Sequence, residues 1–245
     1  MLNHKIFVLG TSGTGKTSSL RNLDPKKTGL INCDKKAPPL AGWRSNYVRI
    51  EKRNSNGDIV TDLEKSNYVE ITKPTQILKT LNVWEKREDL ECIVIDTITH
   101  MITNKYMTDT IGKDFKTYQQ LGKETYNIFD KVRDYSKAIV IFGHTDEKYN
   151  DLGQKVTLMK SYGNMITDME PASFFTTVLM TEVQREDGQA KYVFRTQSNG
   201  SDFAKSPAKF IVGKEGAVGA LPLYVPNDIK KVIELLDKFE LETNQ

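Results

Sequence analysis

The residues Gly10, Thr11, Ser12, Gly13, Thr14, Gly15, Lys16, Thr17 and Ser18 bring glycine, hydroxyl and lysine chemistry together at one spacing. Gly10, Gly15, Lys16 and Thr17 satisfy G-x-x-x-x-G-K-[ST] in full. Glycines allow backbone N–H groups to turn inward and hold phosphate oxygens. The lysine ammonium suits β- and γ-phosphates, and the threonine hydroxyl suits Mg²⁺. A chance glycine-rich turn is the alternative. The apolar KIFVL before the loop and the helix expected after it favour the phosphate reading.

A phosphate site with Mg²⁺ needs a carboxylate. Asp96 ends the apolar run ECIVID, where a strand's carboxyl end delivers side chains to a ligand. Thr97 follows it, where many ATPases carry a glutamate, so a water-activating base must come from elsewhere. Asp34, after GLINC, is the best placed candidate, and a plain turn aspartate is the other reading. His144 closes AIVIFG and is read as a phosphate sensor, against a capping histidine. His4 and His100 lack partners at metal-ligand spacing and read as structural. Arg185, Lys191, Arg195 and Lys205 could reach a neighbouring subunit's γ-phosphate, or form a solvated charged hairpin. Lys148, Lys155 and Lys160 alternate with Tyr149 and Tyr162, a mixture that suits single-stranded nucleic acid or an exposed polar loop.

These residues need a scaffold. Buried strands are predicted at Lys5 to Leu9, Gly29 to Cys33, Glu91 to Asp96 and Ala138 to Phe142. Helices are predicted from Lys16 to Asn22, Thr75 to Arg87 and Thr117 to Tyr135, with partial helix between Ile98 and Gly112. A C-terminal helix runs from Asp228 to Phe239, with Asn227 as N-cap. Alternation of strand and helix argues an α/β fold, a mainly parallel sheet flanked by helices. Phe174 to Val183 and Ala190 to Thr196, joined through Asp187-Gly188, form an antiparallel hairpin at one edge. Asn46 to Thr72, with an NSNGD turn, reads as a small β-insertion. Thr145 to Pro171 shows little periodicity and reads as a long functional or mobile loop.

The chain has 245 residues, 38% hydrophobic and 27% charged, with a net charge of +3, enough for a core and too balanced to signal nucleic acid by itself. Cys33 and Cys92 sit in apolar runs and read as small core residues. The start is no signal peptide and no run spans a membrane, so a cytoplasmic protein is expected.

The order of GTSGTGKTSSL, Asp34, VIDTITHMI, IVIFGH and the late FRTQSNGSDFAKSP resembles the RecA-like P-loop ATPases. It looks most like the small RecA-like proteins of tailed phages, related to recombination and single-strand annealing proteins. The resemblance runs from residue 5 to about residue 212. It implies ATP and Mg²⁺ as ligands, ATP hydrolysis, self-assembly into a homo-oligomer, and action on single-stranded DNA in recombination, annealing, repair or replication. A single-strand DNA-binding protein is a further partner in this picture, and a host cytoplasm the location if the chain is phage-encoded. The loops Thr97 to Lys116 and Thr145 to Glu170 would face DNA. Two features depart from the recombinases: Asp34 with Lys35 and Lys36 stands where they carry a glutamate, and no oligomerisation segment precedes the P-loop.

The expected organisation is a RecA-like ATPase core over residues 1–212, including the insertion at 46–72, followed by a loop and helix over 213–245. Two alternatives stay open: a P-loop kinase of a small molecule, and a non-hydrolysing, ATP-dependent structural or assembly protein. The kinase reading needs a lid with clustered arginines, and the arginines here are scattered. A GTPase would need a base-reading N-K-x-D, which the Asn104-Lys105-Tyr106-Met107 segment does not supply.

Overall fold

The structure is a computed structural model that describes residues 2–110, 115–150, 152–162, 166, 169–210 and 217–242. Strands β1 (Lys5–Leu9) and β2 (Thr28–Asn32) are followed by one helical turn, α1 (Trp43–Asn46), and by β3 (Glu51–Arg53), β4 (Ile59–Thr61) and β5 (Tyr68–Glu70). Helix α2 (Pro74–Glu85) leads to β6 (Cys92–Asp96), then α3 (Ile98–Lys105) and α4 (Phe115–Arg133). Strands β7 (Ala138–Gly143), β8 (Thr145–Tyr149), β9 (Lys155–Met159), β10 (Thr177–Glu186) and β11 (Gln189–Arg195) follow. The short strands β12 (Ala208–Phe210), β13 (Ala217–Gly219) and β14 (Tyr224–Pro226) precede helix α5 (Ile229–Glu242).

The main sheet has eight strands in the order β14-β11-β10-β1-β7-β6-β2-β5. Strands β10, β1, β7, β6, β2 and β5 run parallel, and β11 is antiparallel to both of its neighbours. This is the expected α/β arrangement, a mainly parallel sheet with the late hairpin at one edge. Apolar residues fill both faces, as a covered parallel sheet requires. Phe7, Leu9, Ile31, Ile93, Ile95, Ile139 and Ile141 point to one face, against α2, α3 and α4. Ile6, Val8, Leu30, Val94, Val140 and Phe142 point to the other, against α5 through Ile229, Val232, Ile233 and Leu236. Gly29 in β2 admits α2 closely: a Cβ there would lie 2.5 Å from the Trp84 ring. Cys33 and Cys92 are buried free thiols, matching their small-core reading.

Several expectations change. The chain after the P-loop forms a 3-10 helix over Thr17–Leu20 rather than an α-helix to Asn22. The Asn46 to Thr72 segment divides: β3 and β4 form the expected hairpin, but β5 joins β2 as an edge of the main sheet. Thr145 onward is not an aperiodic loop. It opens as a β8–β9 hairpin whose turn is held by the Asn150 carboxamide, which accepts from Leu152 N and Gln154 N. Asp228, not Asn227, caps α5, accepting from Lys230 N at 3.0 Å and Lys231 N at 3.4 Å. The expected loop Thr97 to Lys116 is helical over Ile98–Lys105 with a π-helical turn at Tyr106–Thr110, and its residues 111–114 lie outside the described residues. Among the described residues, no helix is long and apolar enough to cross a membrane.

Candidate nucleotide site

The parallel strands end together at one edge of the sheet, and β1 delivers the glycine-rich loop between β10 and β7. Gly10 N donates to Gly143 O at 3.2 Å, which ties the loop's start to the end of β7. On the other flank the Thr14 and Thr181 hydroxyls are 2.5 Å apart, and Thr181 Oγ1 donates to Leu9 O at 3.3 Å. Gly15 has φ of 90°, a left-handed conformation that L side chains resist.

Lys16 is buried, and its ammonium donates to the carbonyls of Gly10 and Thr11 at 2.7 Å. It also lies 3.4 Å from His144 Nδ1. Burial lowers its pKa to about 8, against the pull of the Asp96 and Asp34 carboxylates. Near neutral pH the charge is retained, held by weak carbonyl acceptors that an anionic ligand outcompetes.

Asp96 is 5% exposed at the end of β6. Thr17 Oγ1 donates to its Oδ2 at 2.6 Å, while Oδ1 is buried without a hydrogen-bond partner. Burial pushes its pKa up to about 7; the Thr17 hydrogen bond lowers it, Asp34 raises it and Lys16 lowers it. A buried carboxylate oxygen with no donor, beside a threonine hydroxyl and a lysine, fits a divalent cation bound with phosphate. Thr17 and Asp96 are therefore the residues that would hold Mg²⁺, directly or through water. Such an ion would supply charge neutralisation to the phosphate oxygens. Lys16 and the loop amides would orient the phosphates.

Asp34 follows β2 and is fixed from β6. Its Oδ1 accepts from Thr97 N at 3.2 Å and from Thr97 Oγ1 at 2.8 Å, and His100 Nε2 lies 3.4 Å away. The backbone joins in, Cys33 N donating to Asp96 O at 2.6 Å. His144 N donates to Thr99 Oγ1 at 2.9 Å, and the His144 and His100 rings meet edge to face at 5.4 Å. Burial first, then the Lys16 ammonium, lowers the His144 pKa to about 4, so the imidazole is neutral at neutral pH and can accept a hydrogen bond. Ligand atoms of Asp34, His100 and His144 all lie within 4.8 Å of one another. His100 thus joins the site, contrary to its structural reading. His4 does serve structure, with Nε2 2.8 Å from Asp237 Oδ1 on α5.

A cavity of about 650 Å³ unites Lys16, Thr17, Asp34, Asp96 and His144, and extends past Ser18 and Arg21 to Tyr192 and Asn227. Thr97, His100, Tyr192 and Asn227 are contributors that spacing did not reveal. Thr97 and His100 carry a faint local signal, one step and one helical turn beyond Asp96, whereas Tyr192 and Asn227 arrive only through the sheet order.

The outlying cations are placed elsewhere. Arg195 is buried, with its guanidinium engaged by Glu182, Asp202 and the Gln197 carbonyl of its own chain. It is not presented to a neighbouring subunit, which corrects that expectation: its position on β11 points it inward. Arg185 is exposed near the hairpin tip, and Lys191 lies 3.3 Å from Glu186. Lys205 is exposed, its backbone bridged to Val178. Lys148 and Lys155 project from the β8–β9 hairpin, Lys155 paired with Glu147 at 2.8 Å. Lys160 follows β9, and its N–H donates to His144 O at 2.7 Å.

Residues 2–208 match the family model AAA_24, described as an AAA domain. No curated protein matches the chain. Among solved structures, the flagellar accessory protein FlaH from Methanocaldococcus jannaschii is similar at 14% identity and a TM-score of 0.44, over 79% of this chain and 77% of that one. A KaiC-like protein from Pyrococcus horikoshii is similar at 10% identity and a TM-score of 0.47, over 90% of this chain and 91% of that one. With a complete phosphate-binding loop and a family match over most of its length, the chain belongs to the AAA_24 family of AAA-domain P-loop ATPases.

Proposed function

We propose that the protein binds ATP with Mg²⁺, hydrolyses it, and uses the cycle to act on single-stranded DNA as a homo-oligomer. The observation that carries the ATP reading is the buried, unpartnered Asp96 Oδ1 beside Thr17 and Lys16 at the end of the glycine-rich loop. The Asp34–Thr97–His100 group is the best placed to orient a water near the terminal phosphate. The DNA reading is supported by the hairpin that follows His144. Lys148 and Tyr149 are exposed on it, and Lys160 at its base is bonded to the His144 carbonyl. A shift at the phosphate would therefore be felt by a basic, aromatic-bearing hairpin. Recombination, annealing, repair or replication in a tailed phage, beside a single-strand DNA-binding protein, is the setting suggested by the sequence resemblance. Arg185, Lys191 and Lys205 stay as candidates for contact with a neighbouring subunit.

The test is ATP turnover with and without single-stranded DNA, for wild type and Lys16→Ala. DNA-stimulated turnover that Lys16→Ala abolishes is expected. Phosphate transfer to a small acceptor would replace this reading with a kinase. A second reading, ATP as a ligand that orders an assembly without turnover, is favoured by Thr97 standing where a glutamate is common and by Asp34 already engaged by Thr97 and His100. Binding without turnover under any DNA condition would select it.

A further inference from the structure

The phosphate chemistry occupies only one flank of the cavity. The sheet order puts Asp96, Asp34 and His144 on the β7-β6-β2 side of the loop, and Tyr192 with Asn227 on the β10-β11-β14 side. Asn227 is 3% exposed, yet its Nδ2 has no hydrogen-bond partner. It does not cap α5, a task done by Asp228. Its amide lies against the loop instead: a Cβ on Gly15 would be 3.1 Å from Asn227 Oδ1 and 3.1 Å from Tyr192 Cδ1. The two residues are tied together, Asn227 N donating to Tyr192 O at 3.2 Å. Arg21 Nη1, just past the loop, donates to Asn227 O at 2.5 Å. Tyr192 is 44% exposed, so part of its ring faces open space.

A buried amide without a partner is costly unless something completes it. An exposed aromatic ring beside it offers a stacking surface. We propose that Tyr192 and Asn227 form the nucleoside end of the site, Tyr192 stacking on the base and Asn227 recognising its edge. A carboxamide presents a donor and an acceptor side by side. Adenine shows the complementary pair at N6 and N7, whereas guanine shows two acceptors at N7 and O6. Asn227 therefore favours adenine over guanine. The inference rests on the ATP reading above and names its specificity element.

The experiment measures binding by titration calorimetry, with Mg²⁺ and no turnover, of ATP, GTP and inorganic tripolyphosphate. Tripolyphosphate probes the phosphate end alone. Wild type should bind ATP more tightly than tripolyphosphate and GTP. Asn227→Ala should weaken ATP by about tenfold or more and narrow the ATP-to-GTP ratio. Tyr192→Ala, on a half-exposed residue where folding is not at issue, should weaken ATP by about tenfold. Tyr192→Phe should recover most of that loss. Tripolyphosphate affinity should stay the same in all three variants. Unchanged ATP affinity in Asn227→Ala and Tyr192→Ala, with wild type binding ATP, overturns the inference and leaves the ATP site standing. An equal loss for tripolyphosphate and ATP also overturns it, since the residues then only support the loop. Failure of wild type to bind either ligand overturns the ATP reading, and this one with it.

Discussion

Replacing Asp96 with asparagine should stabilise the metal-free protein while disabling the site. Burial raises the Asp96 pKa from 3.8 to about 7, so the folded state favours the neutral acid. For a raised folded pKa, the favourable contribution is complete below the unfolded value and is lost as pH rises through the folded one. The window is therefore pH 3.8 to about 7. At 1.36 kcal/mol per pH unit, the full loss is about 4 kcal/mol. Asparagine keeps the shape and an oxygen for the Thr17 hydroxyl but does not ionise. The stability difference between Asp96→Asn and wild type should be small at pH 4, rise towards about 4 kcal/mol by pH 7, and level off above that. Urea denaturation across pH, with chelator present, reads this directly. Mg²⁺·ATP should then narrow the difference without closing it. Wild type gains about 2.7 kcal/mol at a hundredfold excess over Kd, and the variant, lacking its metal ligand, gains less. A difference that does not change between pH 4 and pH 7, or a variant less stable than wild type at pH 8, would refute the reasoning.

Arg195→Ala leaves the buried Asp202 carboxylate and the half-buried Glu182 without their counter-ion and should cost about 3–5 kcal/mol. Exposed Arg185→Ala should stay within about 0.5 kcal/mol, and equal effects in thermal melts would contradict the placement of Arg195. Gly29→Ala drives a methyl into the Trp84 ring and should lower stability by about 1–3 kcal/mol, visible as a drop in Tm and changed tryptophan fluorescence. Lys148→Glu should weaken single-stranded DNA binding and flatten its salt dependence, the slope being about −0.7 per phosphate neutralised. An unchanged slope in fluorescence anisotropy would take the β8–β9 hairpin out of the DNA contact.

Local pattern made one part of the site readable and topology hid the other. The Gly10 to Ser18 loop carries its chemistry in consecutive residues, and Asp96 and His144 sit at the ends of apolar runs whose strand character is local. Their convergence follows once the strands are parallel, because all carboxyl ends then share one edge. The β8–β9 hairpin was hidden because Thr145 to Tyr149 is polar throughout, with no buried face to print a period of two. The 3-10 turn after the loop is no more legible: Thr17–Leu20 reads as a helix start, and Leu20 and Leu23 pack in the cluster that α5 covers, a contact the local pattern does not show. Arg195 shows the same limit in charge. Its partners Glu182 and Asp202 lie on the strand before it and the loop after it, so one residue type reads as a free cation until the hairpin register pairs it.

That register also explains how the two flanks of the site are coupled. Met180 lies opposite Arg195, which places Thr181 against the loop hydroxyl of Thr14 and Tyr192 opposite Val183, further out along the same hairpin. The β10–β11 hairpin thus touches the phosphate loop at its base and carries the aromatic ring higher up, while β14 brings Asn227 alongside. A one-residue slip would turn Tyr192 to the opposite face and remove it from the cavity. The buried Arg195 ion pairs fix β11 to β10 and to the Asp202 loop. On this geometry Arg195→Ala should lower ATP affinity as well as stability, and should leave tripolyphosphate affinity nearly intact in the fraction that folds. Equal weakening of both ligands would show that the hairpin only buttresses the phosphate loop.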